Sequence, residues 1–498
     1  MSVTVENNPG LDTGALYAAL TGYLSGEEVD AMATAAQRLI AAAGQAGIEN
    51  YKVMVAYGGG KDSTYVVAFV RAVQLKVLMD HGRTFTLRVA NMRHAGVPWA
   101  VMANIDRVYR ALGLLDDPMA ELLTVDHTQV RRFHRDLPLP DSLRDINRVD
   151  MLMNGHRSAG DGRPTFCNSC NLAVADFYGR AAWWDGGVDV VFTGDSRREQ
   201  LLYSAWILKL AKRSGIDVEE CRRMGFRGLL AALRSIGDAY FRELFGDESC
   251  AELAEREVSA GDRSAQPVFI SIYDLVSYRV NDHWDLIVDF LGFEFDDLAF
   301  NFTESDCANP MLMAHLRGLR AEYVQDRTYE DGIRDYLQMA GPLLVKKEIP
   351  EDLRRLALDR YDSTDKIAVR RDMADGYARD AYGVGEEALV AMVFSPFCDQ
   401  GARLVRFLER CHPGMAAKVD DLHAALRCDS DDSSAVTWLE GVSALPIRHL
   451  RTLYRSTLVD FTTEQSMMAR VRAGDPHKIP VEIADRSGAR SVEIISGR

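Results

Sequence analysis

The sequence predicts an α/β fold, a parallel sheet with helices on both faces, followed by a mainly helical C-terminal region. Three observations carry this. Between about residues 51 and 212, short apolar runs alternate with stretches whose apolar residues recur at helical spacing, as βα units of a parallel sheet do. Inside that span, Val53 to Ser63 reads VMVAYGGGKDS, an apolar run that ends in three glycines and opens into a helical pattern. After about residue 216 the alternation fades and helical periodicity dominates.

Taken in order, residues 1–24 show no strong periodicity. Ser25 and Glu28 have the spacing of a capping box for a helix through Met32, Leu39 and Ile40 to about Gly44. A first strand is expected over 51–57. The next helix carries Tyr65, Val66, Phe69, Val70, Val73 and Val77 on one face. Strands follow over 85–91, 122–125 and 188–194, and helices over 97–112, 171–184 and 197–212. The stretch 127–166 breaks this pattern. It is polar, holds Arg131, Arg132, Arg135, Arg144, Arg148, Arg157 and Arg163 with Pro138 and Pro140, and reads as a long Arg-rich loop. A loop of that length is a lid, a binding loop or a solvated insertion. Beyond it, 226–245 and 316–337 read as helices, 268–276 includes a strand, 350–471 is helical, 429–434 is a polar loop, and 479–495 is strand-like. The organisation expected is an N-terminal helical segment (1–48), the α/β domain (49–216), a mixed extension (217–340) and the helical C-terminal region (341–498).

Composition bounds the classes. With 47% hydrophobic and 26% charged residues, the 498-residue chain is a globular protein of several domains. No apolar run reaches a membrane span, and the N-terminus lacks the basic and apolar regions of a signal peptide. Eight cysteines in so long a chain are no disulfide framework, which points to a reducing cytoplasm. The net charge of −15 opposes long-range attraction to nucleic acid, so tRNA is not an expected partner.

The glycine stretch carries the chemistry. Glycine lets backbone N–H groups approach an anion closely, and a helix N-terminus favours negative charge. Lys61 adds a cation, Asp62 a magnesium ligand and Ser63 a hydroxyl. The spacing differs from the Walker P-loop. It resembles the PP-loop, Ser-Gly-Gly-x-Asp-Ser, of the N-type ATP pyrophosphatases. Gly58 stands where that family has its first Ser; Gly59, Gly60, Lys61, Asp62 and Ser63 match. The resemblance implies an adenine-nucleotide alpha-hydrolase-like fold, with ATP and Mg²⁺ bound at the strand ends. It places Asn91 where the family contacts base and ribose, with Arg93 and His94 following. It places Gly194 and Asp195 where many members have a Gly-His pair. Asp195 then holds magnesium or its water shell, or simply caps the helix beginning near Arg197.

Cys167-Asn-Ser-Cys170 is a CxxC directly before an expected helix. Its readings are a structural zinc half-site, a redox dithiol, or two ligands of an iron–sulfur cluster. Cys307 follows 137 positions after Cys170, in a loop-forming segment. A PP-loop, a CxxC and a later lone cysteine, in that order, resemble the tRNA 2-thiocytidine synthetases and their relatives. In these, three cysteines hold a 4Fe–4S cluster whose fourth iron binds sulfur.

The resemblance thus implies AMP-forming cleavage of ATP on a carbonyl-type acceptor, followed by sulfur transfer. Catalysis would rest on Lys61, Asp62, Cys167, Cys170 and Cys307. The acidic charge and the large C-terminal region favour a small-molecule acceptor, with a sulfur-donor protein as partner and a homodimer left open. The alternatives are amide formation with ammonia from a partner, tRNA thiolation, and an inactive ATP-binding scaffold.

Overall fold

A computed structural model describes residues 12–194, 197–246, 266–276, 283–294, 309–346, 349–428, 433–473, 478–484 and 488–496. Two helices lead in, α1 (Thr13–Thr21) and α2 (Gly26–Ala43). The capping box forms: the Glu28 backbone N–H donates to Ser25 Oγ, and the Glu28 carboxylate accepts from the Ser25 backbone N–H at 2.8 Å. The sheet then builds from β1 (Lys52–Ala56), β2 (Thr86–Arg93), β3 (Ala120–Asp126), β4 (Gln129–Arg132), β5 (Val190–Thr193) and β6 (Val268–Ser271), in the spatial order β4-β3-β2-β1-β5-β6. All pairs are parallel except the β3–β4 hairpin. The chain leaves β1 towards β2 on one side and returns beside β1 with β5, so the order switches between β1 and β5, where open α/β sheets bind ligands.

Consecutive residues Val53, Met54 and Val55 are all buried, as strands covered on both faces require. Val53 and Val55 join the core formed with α3 (Lys61–His81) and α4 (Trp99–Ala111). Met54 points the other way, into a core with Phe177 and Ala181. Those two lie on α6 (Asn168–Trp183), which follows α5 (Asp141–Ser158). Helices α7 (Arg197–Arg213), α8 (Val218–Arg223) and α9 (Phe226–Phe245) come next. The strand expected over 268–276 is β6. It lies beyond residue 216 and still pairs in register with β5, from Val190–Val268 to Thr193–Ser271.

The Arg-rich segment is corrected by the structure. It is not a 40-residue loop: 129–132 form β4, and Asp141–Ser158 form a five-turn helix. Pro140 sits at the N-cap of α5, where a missing N–H costs nothing, and the run Leu152-Met153 is fully buried. Arg131, Arg135, Arg148 and Arg157 are individually engaged. Arg131 donates to Asp126 at 2.9 Å, Arg135 lies 4.6 Å over the Trp99 ring, and Arg148 pairs with Asp145 at 2.9 Å. Arg157 is buried and donates to the Thr457 carbonyl at 2.8 Å.

The C-terminal region is helical as expected. It comprises α10 (Pro310–Tyr323), α11 (Tyr329–Lys346), α12 (Glu351–Asp359), α13 (Thr364–Tyr382), α14 (Glu386–Phe394), α15 (Leu404–Cys411), α16 (Val419–Arg427), α17 (Ser433–Ser443), α18 (Ile447–Arg455) and α19 (Met467–Ala473). The single helix expected over 316–337 is two, broken between Tyr323 and Tyr329. A hairpin of β7 (Lys478–Ala484) and β8 (Arg490–Ser496) follows. Helix α5 joins the two halves: a Cβ at Gly155 would meet Met392 Sδ of α14 at 2.1 Å. Among the described residues, no helix is long and apolar enough to cross a membrane.

Candidate functional site

Residues 57–60 form the tight turn between β1 and α3, at the carboxyl edge of the sheet. Gly60 occupies the N-cap of α3 and offers no side chain to cap the helix, so the first-turn N–H groups remain available to an anion. Gly59 has φ +81°, and a Cβ there would meet Val101 Cγ1 of α4 at 2.5 Å. Only glycine suits both that conformation and that contact. Ser63 Oγ and Thr64 Oγ1 each donate to the Gly60 carbonyl, at 3.0 and 2.9 Å. The Tyr57 and Thr64 hydroxyls meet at 3.0 Å and clasp the two ends of the turn.

Lys61 is only 4% exposed although it stands at the positive end of a 21-residue helix. A cation there opposes the helix dipole. Its Nζ lies 3.4 Å from Asp62 Oδ2, and the Asp62 side chain is half exposed. The arrangement concentrates positive potential at the turn and sets one accessible carboxylate beside it.

Two further predicted residues converge here. Asn91 is fully buried beneath the turn, where its Nδ2 donates to the Tyr57 carbonyl at 2.9 Å. Its Oδ1 has no hydrogen-bond partner among the described residues. Gly194, just past β5, packs so closely on α3 that a Cβ would meet Val66 Cγ2 at 2.7 Å. Asp195 and Cys307 lie outside the described residues.

For the CxxC, the backbone is described. A π-helical turn, Arg163–Cys167, runs directly into α6, so Cys167 closes that turn and Cys170 sits in the first turn of the helix. The expected α6 start at 171 is therefore three residues late. Positions 167 and 170 are one helical turn apart, a spacing that puts them on one side of the helix. No group of three or more metal-binding side chains gathers among the described residues.

Sequence reasoning missed a small cleft, about 40 Å³, at the carboxyl ends of β2 and β3. Met92, His94 and Val125 line it from the carboxyl ends of β2 and β3. Asn147 of α5 and Asp176 and Phe177 of α6 close it. Its rim is pinned by a charge cluster: Arg93 donates to both Asp126 oxygens at 2.7 and 2.9 Å and to the Pro138 carbonyl at 2.9 Å. The Ala95 backbone N–H donates to Asn147 Oδ1 at 2.9 Å, which docks α5 on the strand end. The two-residue β3–β4 turn explains the left-handed φ of +49° at His127. His94 alone could have been suspected, since it stands just after an expected strand; the α5 residues could not, once that segment was read as loop.

Comparison with family models, with curated proteins and with solved structures gives no match.

Proposed function

We propose that the chain is an AMP-forming ATP pyrophosphatase. The reading has ATP phosphates seated on the turn 58–63, an acceptor carbonyl oxygen attacking the α-phosphorus, and pyrophosphate leaving towards Lys61. The observation that carries it is the buried Lys61 at the uncapped N-terminus of α3, beside a glycine that no larger residue can replace. A lysine placed against the helix dipole is unfavourable alone and becomes favourable with a polyanion bound. Phosphoryl chemistry of this kind asks the protein mainly for positioning and charge neutralisation. Backbone N–H groups of the first turn and Lys61 would serve the leaving group, and Asp62 would hold the magnesium that accompanies ATP. Asn91 supports the turn from below, through Tyr57.

We propose sulfur as the second nucleophile, delivered through a centre held by Cys167 and Cys170 and completed by Cys307, an iron–sulfur cluster in preference to zinc. This part rests on the sequence spacing of those cysteines. A small-molecule acceptor is favoured over tRNA, because the net charge is −15 and four arginines of the 127–166 segment, Arg131, Arg135, Arg148 and Arg157, are engaged in ion pairs, ring contacts and carbonyl contacts. The test is product analysis with ATP, Mg²⁺ and candidate acceptors, alongside iron and zinc content of anaerobically prepared protein. AMP and pyrophosphate support the reading. ADP and phosphate as sole products exclude it, and ATP binding without turnover across acceptors favours the scaffold alternative.

A further inference from the structure

Helix α6 opens on the CxxC, and the two residues between its cysteines, Asn168 and Ser169, are anchored deep in the protein. The Asn168 Nδ2 donates to the Tyr240 hydroxyl of α9 at 3.1 Å. That hydroxyl donates in turn to Asn154 Oδ1 of α5. The Asn154 Nδ2 donates to Ser169 Oγ at 3.1 Å and to the Asp150 carbonyl at 2.7 Å. Asn154 and Tyr240 are themselves fully buried. Burial holds the Tyr240 phenol well above its ordinary pKa, so it stays protonated and remains a donor. Side chains from three helices thus close one buried polar network.

Such a network fixes rotation. Turning α6 against α5 and α9 would leave buried amide and hydroxyl groups without partners, which costs more than the bonds themselves contribute. Successive helical residues are about 100° apart, so Asn168 and Ser169 share one side of the helix and positions 167 and 170 share the opposite one. Leu172, one turn after Asn168, packs in the same core as Tyr240 and marks the side that faces α5 and α9. Position 170 falls instead on one stripe with Phe177 and Ala181, at helical i, i+7 and i+11. Those two pack on Met54, Ala90 and Val191 of the sheet. Helix α6 leads into the amino end of β5, so its first turn stands at the carboxyl edge. A π-helical turn, of a kind frequent at functional sites, brings the chain to position 167.

We propose that Asn154 and Tyr240 are positioning residues for the CxxC: by gripping the dipeptide between the cysteines, they present positions 167 and 170 as one preorganised thiol pair, a site for a soft, thiophilic centre that takes two thiolates at once. A two-thiol site binds strongly only when both groups are held in place beforehand, since otherwise ordering them opposes binding. The inference rests on the thiol-pair part of the proposed function and deepens it by naming what sets the pair. It is independent of the nucleotide reading.

Phenylarsine oxide is the probe. Its arsenic forms two As–S bonds to a thiol pair, and its oxygen leaves with the two thiol protons as water, with no change of oxidation state. The reduced full chain is titrated with it against a small dithiol competitor, and bound arsenical is counted by intact mass. A Cys167→Ser/Cys170→Ser double variant gives the background of the remaining cysteines. The intact chain is expected to hold one arsenical more than that background. Tyr240→Phe keeps the ring in the core and removes the hydroxyl; it should weaken the affinity by about 10- to 100-fold, the usual effect of removing a group that orients a metal-site ligand. Asn154→Ser should act in the same direction, and serves if the tyrosine variant folds poorly. Ile236→Val, one turn before Tyr240 on α9 and buried in the same core, trims packing without touching the network and should leave the affinity as it is. Unchanged affinity in both Tyr240→Phe and Asn154→Ser, or an equal loss in Ile236→Val, overturns the positioning role. No arsenical above background in the intact chain overturns the thiol-pair reading along with it, and ATP turnover enters neither result.

Discussion

Replacing Gly59 by alanine probes the turn at its most constrained point. The new Cβ would arrive 2.5 Å from Val101 Cγ1, 3.1 Å from Ile105 Cγ1 and 3.2 Å from Ile105 Cδ1. Val101 is fully buried in α4, and its branched side chain has little rotamer freedom on a helix, so it yields poorly. The left-handed φ of +81° adds about 1–2 kcal/mol for a residue with a Cβ. Overpacking adds about 1–3 kcal/mol, for a total loss of about 2–5 kcal/mol. Val101→Ala removes the offending methyl but leaves the dihedral strain. The double variant should therefore be less destabilised than the sum of the single ones, by a coupling of about 1–3 kcal/mol. A chain of this size need not unfold in one step, so native-state hydrogen exchange of α3 and α4 amides is the suitable assay, with circular dichroism to confirm the fold. Effects additive to within about 0.5 kcal/mol would mean that Val101 does not bear on the turn, and the packing argument for Gly59 fails.

Three other outcomes are expected. Glu28 carries opposed effects: burial raises its pKa, but hydrogen bonds from His283, Tyr65 and Ser25 outweigh it and bring the group from an ordinary 4.5 to about 2. A carboxylate depressed in the folded state stabilises above its unfolded pKa, so stability should fall as pH drops from about 4.5 towards 2, and Glu28→Gln should flatten that part of an acid titration. Cys167→Ser and Cys170→Ser should each release the same metal centre, measured as iron and zinc content; unchanged content in both leaves a structural or redox role. Neutralising Arg131, Arg132 and Arg135 together should not alter retention on immobilised tRNA, because the intact chain should show no salt-sensitive retention at all.

Much of the α/β half was legible because its strands are buried on both faces and read as unbroken apolar runs. The run Val53-Met54-Val55 is the clearest, with each residue buried. Capping chemistry was equally direct at Ser25 and Glu28. Local signals misled at α5. Its two prolines and seven nearby arginines suggest a solvated loop, yet Pro140 is a helix start and Arg157 is buried against the Thr457 carbonyl, 300 residues away. Only tertiary contact distinguishes such an arginine from a solvated one. The same long-range character hid the cleft, since Asn147 and Asp176 meet His94 through folding alone. At the turn, the residue types announced an anion site, but that Asn91 lies beneath it, fully buried, needed the packing of β1 on β2.

The measurement closest to the central claim is the product pattern of ATP turnover in the intact protein and in Lys61→Met. Phosphorus NMR with ATP, Mg²⁺ and candidate acceptors should show AMP and pyrophosphate appearing together in equal amounts. Lys61→Met should lower that rate by about 10²–10³-fold, the usual effect of removing one preorganised charge-stabilising group. ADP and phosphate as the products, or an unaltered rate in Lys61→Met, would contradict the account.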